Sequence, residues 1–284
     1  MNKIKFTKMH GCGNDYIYIN CLNTEIKNPA NLALQASKKH FGICADGLVL
    51  IKKPTIELAD FKMEMYNNDG SRAQMCGNAT RCVAKFLYDK KISTKETIQL
   101  QTDAGIKELQ IQTKDNQVNL VTVNLGSPSF IAKDLPTTLT DKQMINHQIN
   151  IDGSNFNLNL VSIGNPHAVI IVDKITDDHI HKLGPVIENL DIFPERINVE
   201  FIEIIDKDLI NMRVWERGTG ETLACGTGAA ACIAVTTKLN LTNNKIKVNL
   251  LGGCLTLELL EDNSIIKSGP AEFVFDGEYY YNGE

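Results

Sequence analysis

The chain has 284 residues, 43 % hydrophobic, 22 % charged and 6 % aromatic, with a formal net charge of −5. That length can bury a full core, as one large domain or two moderate ones. The two signs of charge are interspersed without a long Lys/Arg run, which argues against a basic nucleic-acid footprint, and no stretch approaches the length of a membrane span.

The opening residues, MNKIKFTKMHGCGNDYIYIN, lack the apolar core of a signal peptide, so the cytoplasm is the expected location. The cysteines at 12, 21, 44, 76, 82, 225, 232 and 254 are then expected to be thiols and not disulfides. No Cys-x-x-Cys pair is present, and no metal site is expected.

Along the chain, an apolar strand follows Gly13-Asn14. Asn28-Pro29 supplies a cap and a first-turn proline for a helix over ANLALQASKKH. The alternation of Phe61, Met63 and Met65 in FKMEMY predicts a half-buried antiparallel strand, as do TIQLQT and LQIQT. A helix is expected over GNATRCVAKFLYDKK. VNLVTVNL is a strand candidate, and another apolar strand follows Gly164-Asn165. GTGAAACIAVTTKLN predicts a further helix, followed by strands in KIKVNLL and CLTLELL. Gly105, Gly126, Gly153 and Gly252-Gly253 punctuate these segments. The class is α+β, strand-rich, without a regular βαβ alternation.

Three landmarks recur in the same order. Gly13-Asn14 returns as Gly164-Asn165, Phe41 as Phe193, and Cys76-Gly77 as Cys225-Gly226. Tyr66 and Trp215 each stand ten residues before their Cys-Gly. An internal duplication explains the set. It predicts two similar halves, 1–126 (joined by a returning strand in 271–284) and 127–270, with the Cys-Gly turns related by a pseudo-twofold axis.

Each Cys-Gly opens a predicted helix. Backbone amides and the positive end of the dipole favour an anion there and lower a thiol pKa. Two such thiols can remove a proton from one face of a carbon and return one to the other. Preorganised amide donors would hold the enolate-like charge of a carboxylate. No pyridoxal-type lysine motif is evident, so no cofactor is expected.

MHGCGNDYIYIN, YNNDGSRAQMCGNATRC, IGNPHAV, RINVEF and WERGTGETLACGTGAAA together resemble the diaminopimelate epimerase family, and SGPAEFVFDG resembles its returning C-terminal strand. The resemblance implies cofactor-independent interconversion of LL- and meso-2,6-diaminopimelate, serving lysine and peptidoglycan synthesis. It implies two lobes, each a curved, mostly antiparallel sheet around a central helix, an active site between them, and a homodimer. It further implies that Cys225 is the base and Cys76 the proton donor in the LL-to-meso direction, assisted by His167 and Glu216. Gly77-Asn78 and Gly226-Thr227 would hold the reacting carboxylate through backbone amides. Asn14, Asn67, Asn165, Asn198, Glu216 and Arg217 would grip the remaining ammonium and carboxylate groups.

Gly47 stands where some members of that family carry glutamine, Ala79 replaces a glycine, and Cys12 and Cys44 replace apolar or glycine residues. Cys21, Cys82, Cys232 and Cys254 are expected to pack as small hydrophobes. Without the resemblance, His167 would be a turn residue and Glu216-Arg217 a solvated pair. The GxGxxA at Gly226 lacks the preceding apolar strand and the later acidic residue of a dinucleotide fingerprint. Two other readings are weighed. A cysteine-pair proline or hydroxyproline racemase typically has histidine where this chain has Asn78. A redox switch joining Cys76 to Cys225 leaves the Asn, Arg and Glu set without a purpose.

Overall fold

The computed structural model describes residues 2–140, 144–151 and 153–281 and divides into two compact units, Met1–Val123 with Gly269–Glu284, and Asn124–Ser268. The outer limits of the predicted first half, residue 1 and residues 282–284, lie outside the described residues.

In chain order the elements are β1 (Asn2–Gly11), β2 (Asn14–Asn20), α1 (Pro29–Ala36), β3 (Gly47–Lys52), β4 (Phe61–Asn67), β5 (Arg72–Ala73), α2 (Gly77–Asp89), β6 (Thr97–Thr102), β7 (Gly105–Lys114) and β8 (Gln117–Asn124). They continue with β9 (His147–Ile151), β10 (Ser154–Ser162), β11 (Pro166–Ile171), a π turn (His179–Leu183) running into α3 (Gly184–Glu188), and β12 (Asn198–Asp206). Then follow β13 (Leu209–Glu216), β14 (Gly220–Thr222), α4 (Gly226–Lys238), β15 (Lys245–Leu250), β16 (Gly253–Leu259), β17 (Ile265–Gly269) and β18 (Glu272–Tyr281).

In the first unit β1 lies antiparallel between β18 and β2, β2 pairs parallel with β3, and β3 pairs antiparallel with β4. β4 takes β5 antiparallel and β6 parallel, and β7 and β8 continue antiparallel. The second unit repeats this order. β10 lies between β9 and β11, β11 pairs parallel with β12, and β12 pairs antiparallel with β13. β13 takes β14 antiparallel and β15 parallel, and β16 and β17 follow antiparallel. Register matches as well as order. Tyr16 stands opposite Gly47, and His167 opposite Asn198, so both positions are displaced by the same 151 residues.

Helices form the crossovers between the parallel strands, as parallel pairing requires. α1 has the predicted cap, with Asn28 Oδ1 accepting from the amide of Asn31 at 3.1 Å and a proline in the first turn. It ends at Ala36, several residues before the predicted ANLALQASKKH does. The amides of Ile43 and Cys44 both turn back to the Ala36 carbonyl and close the last turn.

α2 and α4 are the central helices. Nearly every α4 side chain from Gly228 to Thr236 is buried, and its Ala, Cys, Ile and Val content suits a helix surrounded by sheet. Burying Ile233 and Val235 stabilises the unit by about 1.5–3 kcal/mol each. α2 is equally enclosed yet carries Arg81 and Lys85. Lys85 satisfies its ammonium on the Val118 carbonyl and on Asp89, 3.0 Å away.

Several expectations change. FKMEMY is not half-buried: Met63, Glu64, Met65 and Tyr66 are all enclosed, because β4 is a central strand covered on both faces. Glu64 is held there by Lys52 at 2.7 Å and Lys62 at 2.8 Å. The Phe41 and Phe193 landmarks do not share surroundings, Phe41 being 86 % exposed and Phe193 only 2 %. Cys21, Cys82 and Cys232 are buried as expected, but Cys254 is exposed at the start of β16. The π turn and α3 have no periodic signal in the sequence. At their junction Gly184 lets Trp215 pack against the backbone, a Cβ there falling 2.9 Å from Trp215 Cβ.

Candidate active site

In the first unit Cys76 is the N-cap of α2, in extended conformation at φ −132° and ψ 123°. The first helical bond runs from the Thr80 amide to the Cys76 carbonyl at 3.0 Å. Helix geometry leaves the preceding amides, including those of Gly77 and Asn78, without an intrahelical acceptor. The Cys76 thiol donates to Asn14 Oδ1 at 3.3 Å, and Asn78 Nδ2 donates to the same oxygen at 3.4 Å. Asn14 Nδ2 in turn donates to Asp46 at 2.7 Å, which fixes the amide so that its oxygen faces the thiol. Asn67, at the end of β4, donates to Ser71 Oγ at 3.0 Å.

Three neighbours of this group are not in the motif reading. Tyr16 lies on β2 two residues after Asn14, and its hydroxyl is held well above the usual phenol range by burial and then by the charge of Cys76. Its signal in the sequence was the duplication, which makes it the counterpart of His167. Asp46 had no such signal. Arg81 is wholly buried one helical turn beyond Gly77. Its guanidinium donates to the Gly77 carbonyl at 3.0 Å, Asn78 Oδ1 at 3.1 Å, the Pro270 carbonyl at 3.1 Å and Cys12 Sγ at 3.8 Å. It thereby braces the α2 start against both the Cys12 turn and the turn before β18. Cys12 is buried at φ 57° and packs within this brace, whereas Cys44 is exposed.

In the second unit Cys225 caps α4 in the same extended conformation, but its sulfur accepts from the Gly228 amide at 3.3 Å and also contacts Thr227 Oγ1 at 3.5 Å. Cys225 is 7 % exposed. Burial, followed by the charges of Glu216 and Glu200, raises its pKa well above the usual thiol value, opposed by the Thr227 and Gly228 contacts. The general expectation of a thiol acidified by its helix start is therefore reversed here. Desolvation and two carboxylates outweigh the dipole.

Glu216 ends β13 and accepts from Thr222 Oγ1. Burial first, then Glu200, raises its carboxyl, while Thr222, His167 and a hydrogen bond from Cys225 act the other way. His167 is fully buried on β11, with Nδ1 2.6 Å from Glu200 Oε1 and Nε2 3.0 Å from Asn165 Oδ1. Asn165 Nδ2 donates to Thr227 Oγ1 at 3.2 Å. Asn198 Nδ2 donates to the Pro166 carbonyl at 2.8 Å, and its oxygen accepts the Arg217 amide at 2.9 Å. The Arg217 side chain is exposed and reaches the Glu195 carbonyl at 3.2 Å.

Sequence reasoning missed Glu188, Glu200 and Lys267 in this unit. Buried Glu188 grips the Glu216-Arg217 turn with both oxygens, taking Trp215 Nε1 and the Gly218 amide at 2.7 Å each. Lys267 is fully buried, and a Cβ on Gly226 would stand 2.3 Å from its Nζ, so this side chain packs directly against the start of α4.

The structure brings together Cys76, Gly77, Asn78 and Asn14 in one unit, and Cys225, Thr227, Asn165, His167 and Glu216 in the other. Each set can move a proton at sulfur and bind a carboxylate at a helix start. All eight cysteines are thiols, and among the described residues no group of His, Cys, Asp and Glu has the arrangement of a metal site.

The family model described as diaminopimelate epimerase matches residues 6–131 and 159–274. Proteins named diaminopimelate epimerase are similar over nearly their full length. One from Methanococcus maripaludis is 48 % identical over 97 % of this chain and 99 % of its own, and one from Acetivibrio thermocellus is 46 % identical over 98 % and 99 %. Among solved structures, a hydroxyproline epimerase from Agrobacterium vitis matches with TM-score 0.69 and 15 % identity, over 98 % of this chain and 91 % of its own. A phenazine biosynthesis protein of the PhzF family from Bacillus anthracis matches with TM-score 0.69 and 15 % identity, over 99 % and 100 %. These distant likenesses are of fold alone.

Proposed function

The chain belongs to the diaminopimelate epimerase family, and from that premise we propose that Cys225 and Cys76 are the two acid/base groups of the reaction it catalyses, the epimerisation of LL- to meso-2,6-diaminopimelate in lysine and peptidoglycan precursor synthesis. The observation that carries this reading is the repeated thiol cap, one on α2 and one on α4; Asn14 accepts from the first thiol, and its counterpart Asn165 bonds Thr227 beside the second.

In this mechanism the Cys225 thiolate removes the α-proton. The C–H bond breaks, an S–H bond forms, and the electron pair moves into the adjacent carboxylate. The Cys76 thiol then delivers its proton to the opposite face and is left as thiolate. No cofactor takes part. In the free site burial and the Glu216 and Glu200 charges keep the proton on Cys225; Glu216, which accepts the thiol's hydrogen bond, is in this reading the group that takes that proton once the substrate's ammonium groups have entered the site. Amides at Gly77-Asn78 and Gly226-Thr227 hold the reacting carboxylate, and donors placed ahead of the developing charge are worth about 2.7–4 kcal/mol each. Asn14, Asn67, Asn165, Asn198, Glu216 and Arg217 bind the other charged groups of the substrate, Arg217 by leaving the Glu195 carbonyl for a carboxylate, with which it pairs bidentately.

The enzyme works in the cytoplasm as a homodimer in this reading. The exposed thiols Cys44 and Cys254 suit a reducing compartment, and β18 exposes Val274, Phe275 and Tyr280 as apolar surface available for self-association.

Turnover in D₂O tests the mechanism. Cys76 exchanges its proton with solvent before each delivery, so early product should carry one deuterium at the inverted centre while remaining substrate stays largely protiated. Mass spectrometry of separated stereoisomers at under about a tenth of the approach to equilibrium reads this. Protium retained in the product would overturn the two-thiol assignment.

A further inference from the structure

The two capping thiols are set differently. The Cys225 sulfur accepts the Gly228 amide at 3.3 Å. The Cys76 sulfur takes no capping bond from its own helix and instead faces Asn14 Oδ1 at 3.3 Å. That oxygen belongs to a line whose two ends are charged side chains. Arg81 Nη1 meets Asn78 Oδ1 at 3.1 Å, Asn78 Nδ2 meets Asn14 Oδ1 at 3.4 Å, and Asn14 Nδ2 meets Asp46 Oδ2 at 2.7 Å.

We propose that Arg81 is a positioning residue for Cys76: with Asp46 at the other end of the line, it locks the Asn78 and Asn14 amides so that an oxygen faces the sulfur, which holds Cys76 as a proton donor. The consequence for catalysis rests on Cys76 being the acid of the LL-to-meso direction.

Each amide's direction is fixed by a neighbour that has no alternative. A guanidinium keeps its charge and only donates, so the Asn78 atom facing Arg81 is the oxygen. The Asn78 NH₂ then points at Asn14, and because an NH₂ only donates, the Asn14 atom that meets it is also the oxygen. The other end gives the same answer. Asp46 Oδ2 accepts both the Asn14 NH₂ and the Asp15 amide, the latter at 3.1 Å. An oxygen with no hydrogen of its own therefore faces Cys76. The S–H donates to it, and neither amide has a donor left for a thiolate. Packing keeps the line in place. Arg81 is wholly buried and Asn78 is 3 % exposed, and Gly11 closes over both, since a Cβ there would fall 2.9 Å from the guanidinium and 3.3 Å from Asn78 Cβ.

Either end alone sets the direction, so removing one leaves the lock and removing both releases it. Arg81→Met, Asp46→Ala and the double variant are treated with iodoacetamide at about pH 7.5 without substrate, and Cys76 is followed by peptide mapping. Each single variant should label Cys76 at close to the parent rate. In the double, Asn14 is free to turn its NH₂ to the sulfur, which favours the reactive thiolate by one hydrogen bond, or roughly fivefold in rate. The kcat from LL-diaminopimelate should fall by a similar factor, since Cys76 less often carries the proton to be delivered. Arg81 also holds the Gly77 and Pro270 carbonyls, and loss of that bracing alone predicts the full rise already in Arg81→Met. Independent effects predict a double equal to the product of the singles. Either result overturns the proposal, as does an unchanged rate in the folded double. Melting curves identify a variant that has unfolded. If Arg81→Met is one, Asn78→Ala combined with Asp46→Ala cuts the same line while keeping Arg81, and must show the same rise. Failure of the thiol mechanism is recognised separately, by Cys76→Ala remaining active.

Discussion

Tyr16 and His167 hold the same place in the two units: each stands two residues after the Asn of a Gly-Asn turn and opposite the first residue of the next parallel strand, Gly47 and Asn198. One brings a phenol toward Cys76, the other an imidazole onto Asn165, which also bonds Thr227 beside Cys225. The duplicated frame is shared, but the acid/base chemistry on it is not.

Tyr16→Phe should therefore keep the fold and weaken the first thiol group. A buried hydrogen bond contributes about 1 kcal/mol, so a loss of roughly fivefold in kcat is expected, with little change in melting temperature. Steady-state kinetics in both directions check this. Unchanged rates would mean that the phenol serves packing only.

Gly47→Ala should be far more damaging than its size suggests. Its Cβ would meet the Tyr66 carbonyl at 2.2 Å and the Tyr16 ring at 3.0 Å, and the first of these is backbone that cannot move aside. Overpacking of this kind costs about 1–3 kcal/mol. Denaturant titration should show the loss. Gly105→Ala, with open space around its Cβ, separates backbone strain at positive φ from crowding.

Thiol reactivity should run against the usual rule for helix starts. A group whose pKa is raised in the folded state stays protonated at neutral pH, and its thiolate appears only as pH climbs beyond the ordinary thiol value. Cys225 is so placed, by burial and by Glu216 and Glu200. At about pH 7.5, iodoacetamide should label exposed Cys44 at least roughly tenfold faster than Cys225, as read by peptide mapping. Glu216→Gln removes an anion and should speed labelling of Cys225. Equal labelling of Cys44 and Cys225 in the parent would contradict the assigned environment.

The remaining cysteines divide by burial. Cys76→Ala and Cys225→Ala should each abolish epimerisation without unfolding the protein. Cys82→Ala and Cys232→Ala should retain activity but lose about 1–2 kcal/mol, since both sulfurs are enclosed in central helices. Cys254→Ala should change neither measurably. Chiral separation of products, with melting curves alongside, distinguishes the three classes.

The sequence by itself determined the order of elements around the two Cys-Gly turns, since caps, proline at a first turn, alternation and glycine breaks are local signals. Asn14, Asn78, Asn165 and Thr227 were legible as candidates through the family resemblance of the motifs that carry them. Glu200, Glu188, Asp46 and Arg81 were not marked out, although Arg81 stands within a quoted motif. Each becomes informative only through a partner far along the chain or by being enclosed, as Glu200 is to His167 across the parallel pairing of β11 with β12. Only the tertiary structure decided the state of Cys225 too. Helix position alone favours a thiolate, and it took the packing of β12 and β13 beneath α4 to bring two carboxylates and a dry environment that hold the proton on sulfur.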